Sequence, residues 1–384
     1  MKAVGLMSGT SLDGIDAALV EIVPNGTRYD LELLRFATVP FGSEQRRALV
    51  AALPPNEGGV SLVAALHRAL GEAFAAAAAA IAESDRVGYV ASHGQTVWHD
   101  GSRRVTLQLG DAFVIREAVK ATVCYDFRSA DCAAGGQGAP LVPYVDELLF
   151  ADPSEDRIAL NVGGIANVTL LAHQGPAWAF DTGPGTMLID SFVRDRTRGA
   201  STYDAGGALA RAGTVDQPLL EAMLGDEHFS LPPPKTTGRE RFGAQFLARY
   251  GDRLARLSLE DGAATLAELT ALTIASAIEA AGMTSARTIV SGGGARNTWL
   301  LRRLAERLPR ARVEPSDSMG VPADAKEAMF FALLGYETLR GRAANLPRAT
   351  GAAHAAPLGA IAPFELEKLL REIETEVNAG GTER

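Results

Sequence analysis

The sequence is short of cysteine, of net positive charge and of uninterrupted apolar length. Only Cys124 and Cys132 occur in 384 residues. No disulfide framework can staple such a chain, and both thiols are expected to be reduced and packed. Lys and Arg number 37 against 46 Asp and Glu, a formal net charge of −9. Binding a nucleic-acid backbone calls for a basic surface, so nucleic acid is not an expected partner. No charge-free run of about 18 apolar residues appears, and the alanine-rich stretch 75–82 is too short, so no membrane span is expected. The opening MKAVGLMSGTSLDG lacks the apolar core of a secretory signal, which makes the cytoplasm the expected location. His93 and His99 lie close in sequence, but no cysteine or carboxylate spacing completes a zinc site. Neither a GxxxxGK[ST] loop nor a GxGxxG fingerprint is present.

What remains is an ordinary globular composition, 47% apolar and 22% charged, in a chain long enough for two domains. Residues 2–7 and 15–23 read as strands around a polar turn, and 30–39 continues the meander. Residues 61–82 read as a helix capped by Ser61, with Leu62, Leu66, Leu70, Phe74 and Ile81 on one stripe. A strand is expected at 121–127 and a glycine-rich loop at 133–140. Residues 158–171 (IALNVGGIANVTLL) restart the strand, glycine turn, strand pattern. The proline run in 231–243 excludes regular structure there. Helices are expected at 265–281, with Thr265 and Glu268 as a capping box, at 297–308, at 324–341 capped by Asp324, and at 363–378. The class is α/β. The first domain is placed at 1–130 and the second at 131–356, with the C-terminal segment 357–384 returning to the first.

Three glycine turns follow apolar strands: Gly9-Thr10-Ser11-Leu12-Asp13-Gly14, Gly163-Gly164 leading to Asn167, and Gly292-Gly293-Gly294 leading to Asn297. Glycine lets backbone N–H groups converge on phosphate oxygens, and a helix N-terminus favours anions. Each alone also reads as a plain β-turn; together they point to a nucleotide. Asp181 ends the apolar strand AWAF, where its carboxylate either enters a cleft or forms an Asx turn. Glu327 stands three residues after Asp324 in a capping-box spacing. Arg128 follows a strand, either as a surface cation or as a fork for a carboxylate or phosphate. His93, Gln95 and Thr96 form a loop able to donate to hydroxyls. The roles of Trp98 and Lys326 stay open.

The strings MSGTSLDGID (7–16), SHGQTVWH (92–99), LQLGD (107–111), DFRSAD (126–131), GGQGAPLVP (135–143), LNVGGIAN (160–167), FDTGPGTMLID (180–190), PKTTGRE (234–240), TLAELTALTI (265–274) and SGGGARN (291–297) cover nearly the whole chain. In this order they resemble the anhydro-N-acetylmuramic acid kinases, within the actin/hexokinase/Hsp70 ATPase fold. The resemblance implies two lobes with an ATP and sugar cleft between them, ATP with Mg²⁺ as cofactors, and a homodimer. It implies that residues 9–16, including Ile15 and Asp16, grip the ATP phosphates, that Gly163 to Asn167 form a second phosphate loop, and that Gly292 to Gly294 lie by the adenosine. Asp181 becomes the general base, Glu327 a residue that faces the sugar and orients water, and Arg128, with His93, Gln95 and Thr96, part of the sugar site. No direct magnesium ligand is named; Asp13 and Asp16 are candidates through water.

The implied reaction phosphorylates 1,6-anhydro-N-acetylmuramic acid while opening its bridge, giving N-acetylmuramic acid 6-phosphate and ADP in cell-wall recycling. A kinase for another hexose or amino sugar, and a non-catalytic Hsp70- or actin-like switch, are the alternatives. An aspartic peptidase is opposed by the lack of a second D-[TS]-G. The Cys124-Tyr125 pair before DFR departs from the family pattern near Arg128.

Overall fold

The computed structural model describes residues 1–9, 12, 14–26, 28–53 and 58–380. The chain divides into two compact units, Met1–Leu149 with Ala325–Arg384, and Phe150–Asp324.

The sheet of the first unit starts with β1 (Lys2–Ser8), β2 (Gly14–Asn25) and β3 (Arg28–Pro40), an antiparallel meander. β4 (Tyr89–Asp100) pairs parallel with β1, and β6 (Thr122–Tyr125) parallel with β4, while β5 (Val105–Leu109) turns back antiparallel along β4. In the second unit, β7 (Arg157–Val162), β8 (Ile165–Leu171) and β9 (Trp178–Pro184) form the same meander. β10 (Arg287–Ser291) pairs parallel with β7, and β11 (Val313–Pro315) parallel with β10. β12 (Ala360–Ala362) closes the first sheet antiparallel to β6. The restart read from residues 158–171 is thus a repeated topology: a three-stranded meander whose first strand neighbours two parallel strands.

β1 is buried along nearly its whole length because helices cover both faces of the sheet. The helix Val60–Ala82 lays Leu66, Leu70, Phe74 and Ile81 on one face, as the stripe predicts. The helix Lys326–Leu339 covers the other. Gly5 permits that approach: a Cβ there would sit 1.9 Å from the Ala328 carbonyl oxygen. The Tyr89 hydroxyl donates to the Ala332 carbonyl at 2.7 Å. By length and composition alone, Val60–Ala82 and Leu259–Ala280 are apolar enough to cross a membrane; each packs here as a core helix.

The expected domain boundaries move. The helix Val142–Phe150 stays with the first unit because Lys326 Nζ meets Asp146 Oδ1 at 2.9 Å, both side chains being buried, and because the Tyr144 hydroxyl donates to buried Glu337 at 2.5 Å. The return to the first unit begins at Ala325, ahead of residue 357. Several caps also move. Ser258 caps the helix Leu259–Ala280, accepting from the Asp261 N–H at 2.9 Å, so Thr265 and Glu268 lie within the helix. There Thr265 bonds back to the Asp261 carbonyl, and Glu268 takes Arg303 and Arg307. Gly59 precedes Val60–Ala82, leaving Ser61 inside. Asp324 pairs with Arg296 instead of capping, and Lys326–Leu339 starts after Ala325 with no side-chain cap.

Lys326 has a structural place: its buried ammonium pairs with Asp146 and lies over the face of the Phe330 ring, 4.9 Å away. Removing one partner of a buried pair strands the other charge. Lys326→Met should therefore cost about 3–5 kcal/mol of stability, read from urea denaturation. Lys326→Met combined with Asp146→Leu should recover most of that loss.

Candidate active site

In the first unit the polar residues gather where β1 ends and β2 begins, just after β6, and within β4, so that His93, Gln95 and Thr96, expected in a loop, lie inside a strand. Thr10, Ser11 and Asp13 of the first glycine turn lie outside the described residues. Around them, Leu12 is buried with φ +56°, and its N–H reaches the Gly9 carbonyl at 3.4 Å. Gly14 has no room for a side chain, since a Cβ would sit 2.4 Å from the Val39 carbonyl oxygen. Ser8 Oγ lies 2.8 Å from the Gly14 carbonyl and 2.6 Å from Gln95 Oε1. Gln95 is fully buried and also donates to the Thr96 carbonyl. Gln95 thereby fixes the base of the turn. Ile15 is buried on β2; Asp16, next to it, accepts from the Thr38 hydroxyl at 2.6 Å. Thr96 Oγ1 accepts from Gln108 Nε2 at 3.2 Å.

His93 differs from expectation. Its Nδ1 donates to the Gly94 carbonyl at 2.9 Å, and its Nε2 accepts from Arg128 Nε at 3.0 Å. The ring lies 4.5 Å from that of Phe331. Burial, seconded by the Arg128 charge, holds its pKa well below the usual value, so it stays neutral and can accept from a guanidinium. With both nitrogens taken, His93 orients Arg128 instead of donating to hydroxyls. Arg128 NH1 donates in turn to the Gly138 carbonyl at 2.7 Å. Glu327, in the first turn of its helix, is open to solvent. The protein mass around it raises its pKa, Asp16 adds to the rise, and Arg128 and Lys326 oppose it.

In the second unit, β7 and β8 are joined by Gly163 and Gly164 alone. The segment after Asp181 folds onto this turn. The Gly185 N–H donates to Gly164 and the Thr186 N–H to Gly163, both at 2.8 Å, and a Cβ on Gly185 would sit 2.1 Å from the Gly163 oxygen. Strand register then sets Ser291, Asn161, Asn167 and Asp181 in one row across β10, β7, β8 and β9. Directly paired residues share a face, so sequence-distant polar side chains meet beside the glycine turn. Asn161 and Ser291 were not singled out from the sequence, where only the near-symmetry of Asn161 and Asn167 about the turn hints at them.

Asp181 Oδ2 accepts the Thr237 N–H at 2.8 Å. Its own N–H donates to the Lys235 carbonyl at 3.0 Å, and its carbonyl accepts from His228 Nε2 at 3.3 Å. Burial lifts its pKa from 3.8 to about 6, the Thr237 amide pulls against this, and Glu240 adds to the rise. A carboxylate so poised is mostly ionised at neutral pH yet more basic than an ordinary one, which suits a general base. Burial likewise lifts Asp190 to about 6, with the Thr186 hydroxyl opposing.

In the third turn a Cβ on Gly292 would meet Asn161 Oδ1 at 2.6 Å, and one on Gly294 would meet Val162 at 2.3 Å, whereas Gly293 faces open space. A 3₁₀ turn, Gly293–Arg296, intervenes before the helix Thr298–Arg307, which Asn297 caps by accepting from the Leu300 N–H at 2.9 Å. Gly206 and Gly207, absent from the sequence reading, pack against this turn: Thr298 Oγ1 donates to the Gly206 carbonyl at 3.1 Å. Among the described residues no cluster of three or more His, Cys, Asp or Glu could cage a metal. Mg²⁺ is held largely by water and substrate phosphates, so it does not require such a cluster.

Residues 1–364 match the family described as anhydro-N-acetylmuramic acid kinase. The anhydro-N-acetylmuramic acid kinase of Streptomyces coelicolor is 44% identical over 369 residues, 94% of each chain. That of Xanthomonas axonopodis pv. citri is 46% identical over 368 residues, 94% of this chain and 97% of its own. Among solved structures, a ROK hexokinase from Thermus thermophilus is 19% identical with a TM-score of 0.32, covering 87% of this chain and 98% of its own. The two units repeat one mixed α/β meander topology. By the extent of these matches and the residues they span, the chain belongs to the anhydro-N-acetylmuramic acid kinase family.

Proposed function

We propose that the protein phosphorylates 1,6-anhydro-N-acetylmuramic acid with ATP while water opens the anhydro bridge, a step of peptidoglycan recycling in the cytoplasm, and that it works as a homodimer. The observation that carries the reading is Asp181, a carboxylate raised to about 6 in the middle of β9, in register with Asn161 and Asn167 beside the Gly163-Gly164 turn.

In this sugar O6 is bonded to C1. Asp181 takes a proton from water, the water oxygen bonds to C1, and the C1–O6 bond breaks. O6 then bonds to the γ-phosphorus of ATP, and the bond from that phosphorus to the ADP oxygen breaks. The products are ADP and the ring-opened sugar 6-phosphate. A hydrolase would protonate the departing oxygen with a second carboxylic acid; here phosphorus captures it, so one base suffices. Glu327 orients the attacking water. Arg128, oriented by His93, pairs its guanidinium with the lactyl carboxylate. The three glycine turns bind the nucleotide: residues 9–16 and Gly163 to Asn167 at the phosphates, Gly292 to Gly294 at the adenosine. Asp13 and Asp16 would hold Mg²⁺ through water, and the ion would supply positive charge to the transferring phosphoryl group.

Asp181→Asn keeps the shape and the Thr237 contact but removes the base. Turnover of the anhydro sugar should fall by about 10²–10⁴-fold, while ATP binding, measured by calorimetry, stays near wild type. The base must be ionised, so kcat/KM should fall as pH drops through about 6, approaching tenfold per unit below it. A profile flat to pH 5 would assign the base elsewhere.

A further inference from the structure

The strand that presents Asp181 has a second face. Trp178, Phe180 and Thr182 alternate with Asp181 along β9 and line a cavity of about 550 Å³. Its other walls are the last turns of the helix Leu259–Ala280, at Ala277, and the segment Phe229 to Lys235. The volume and the mostly apolar lining suit a small organic molecule. Trp178 is 44% exposed, so one wall of the cavity is reachable from solvent. The fold does not fill the space, and the proposed reaction does not use it.

One charge lines it. Lys235 donates through Nζ to the carbonyls of His228, at 2.9 Å, and Phe229, at 3.5 Å. Among the described residues no carboxylate forms an ion pair with it. Part-buried, with only neutral partners, this ammonium is held below its usual pKa by desolvation, a state that an anion would relieve. The same segment grips the catalytic strand: the Lys235 carbonyl accepts from the Asp181 N–H, and the Thr237 N–H donates to the Asp181 carboxylate. Whatever fills the cavity bears on the backbone that sets the base.

We infer that this cavity is a regulatory site for an aromatic or otherwise apolar small molecule bearing one anionic group, which docks its body against Trp178, Phe180 and Phe229 and its charge against Lys235. Occupancy alters turnover by shifting the 232–237 segment and, with it, Asp181. A ligand moves such an equilibrium only through its preference for one arrangement, and the Pro232 to Lys235 wall supplies that preference.

Two probes test the assignment: 8-anilinonaphthalene-1-sulfonate, and its uncharged relative N-phenyl-1-naphthylamine. In a Trp98→Phe/Trp299→Phe background Trp178 is the only tryptophan. Both probes should quench it saturably. Lys235→Met should weaken the sulfonate roughly tenfold, the loss of one charge-assisted contact, and leave the neutral probe within about twofold. Ala277→Trp, read through each probe's own fluorescence because it adds a tryptophan, should abolish both, and Ser276→Trp, at a more exposed position, does the same if the first variant misfolds. Saturating sulfonate should lower kcat for the anhydro sugar, and Ala277→Trp should be insensitive to it. Absence of saturable quenching, equal loss of both probes in Lys235→Met, or unchanged kinetics at saturation would each overturn the inference. Only the kinetic arm rests on the proposed reaction; the fluorescence arms need no substrate and fail or succeed without it.

Discussion

Desolvation of a single carboxylate is the constraint around which the second unit is arranged. Asp181 sits in the middle of β9, which runs on to Pro184 instead of ending after Phe180 as its sequence suggests, and burial raises its pKa to about 6. An unassisted buried carboxylate would simply stay protonated. The Thr237 amide restores enough stabilisation of the charged form to leave the group near neutrality. The loop supplying that amide is itself tied to β9 by the Lys235 carbonyl and by His228. Strand, loop and carboxylate thus form one closed set of hydrogen bonds, and the chemistry depends on its balance.

Arginine plays the matching part in the first unit. Arg128 is held by a neutral histidine and by a backbone carbonyl. Protonating His93 would remove its only acceptor nitrogen, so burial of the imidazole is what keeps the guanidinium aimed. The covering helix brings Glu327 to the same unit through the close approach that Gly5 permits. Helix packing and site geometry are one requirement here: a side chain at Gly5 would displace the helix that carries Glu327.

Much of this was legible in the sequence because the signals were local. Apolar runs broken by glycine turns gave both meanders, and the stripe from Leu66 to Ile81 gave the first covering helix. Asp181 and Arg128 stood out because each follows an apolar run. The losses came where tertiary pairing decides. Asn161, Asn167 and Asp181 meet only through strand register, which no spacing reveals. Thr237 acts through its backbone, so its side-chain identity carries no signal. Thr265 with Glu268, and Asp324 with Glu327, spell capping boxes, yet Glu268 and Asp324 find arginines instead. His93 carries a donor a sugar would want and spends it inside the protein, on the Gly94 carbonyl. The boundary placed at 130 missed the buried Lys326–Asp146 pair, a contact between residues far apart in the chain.

The central claim is that water attacks C1 while O6 passes to phosphorus, and isotope labelling tests it most directly. Turnover of 1,6-anhydro-N-acetylmuramic acid with ATP in ¹⁸O-water, followed by mass spectrometry of the product, should show one ¹⁸O at C1 and an unlabelled phosphate ester at O6. Phosphorylated sugar without label at C1 would contradict the coupled hydrolysis and transfer.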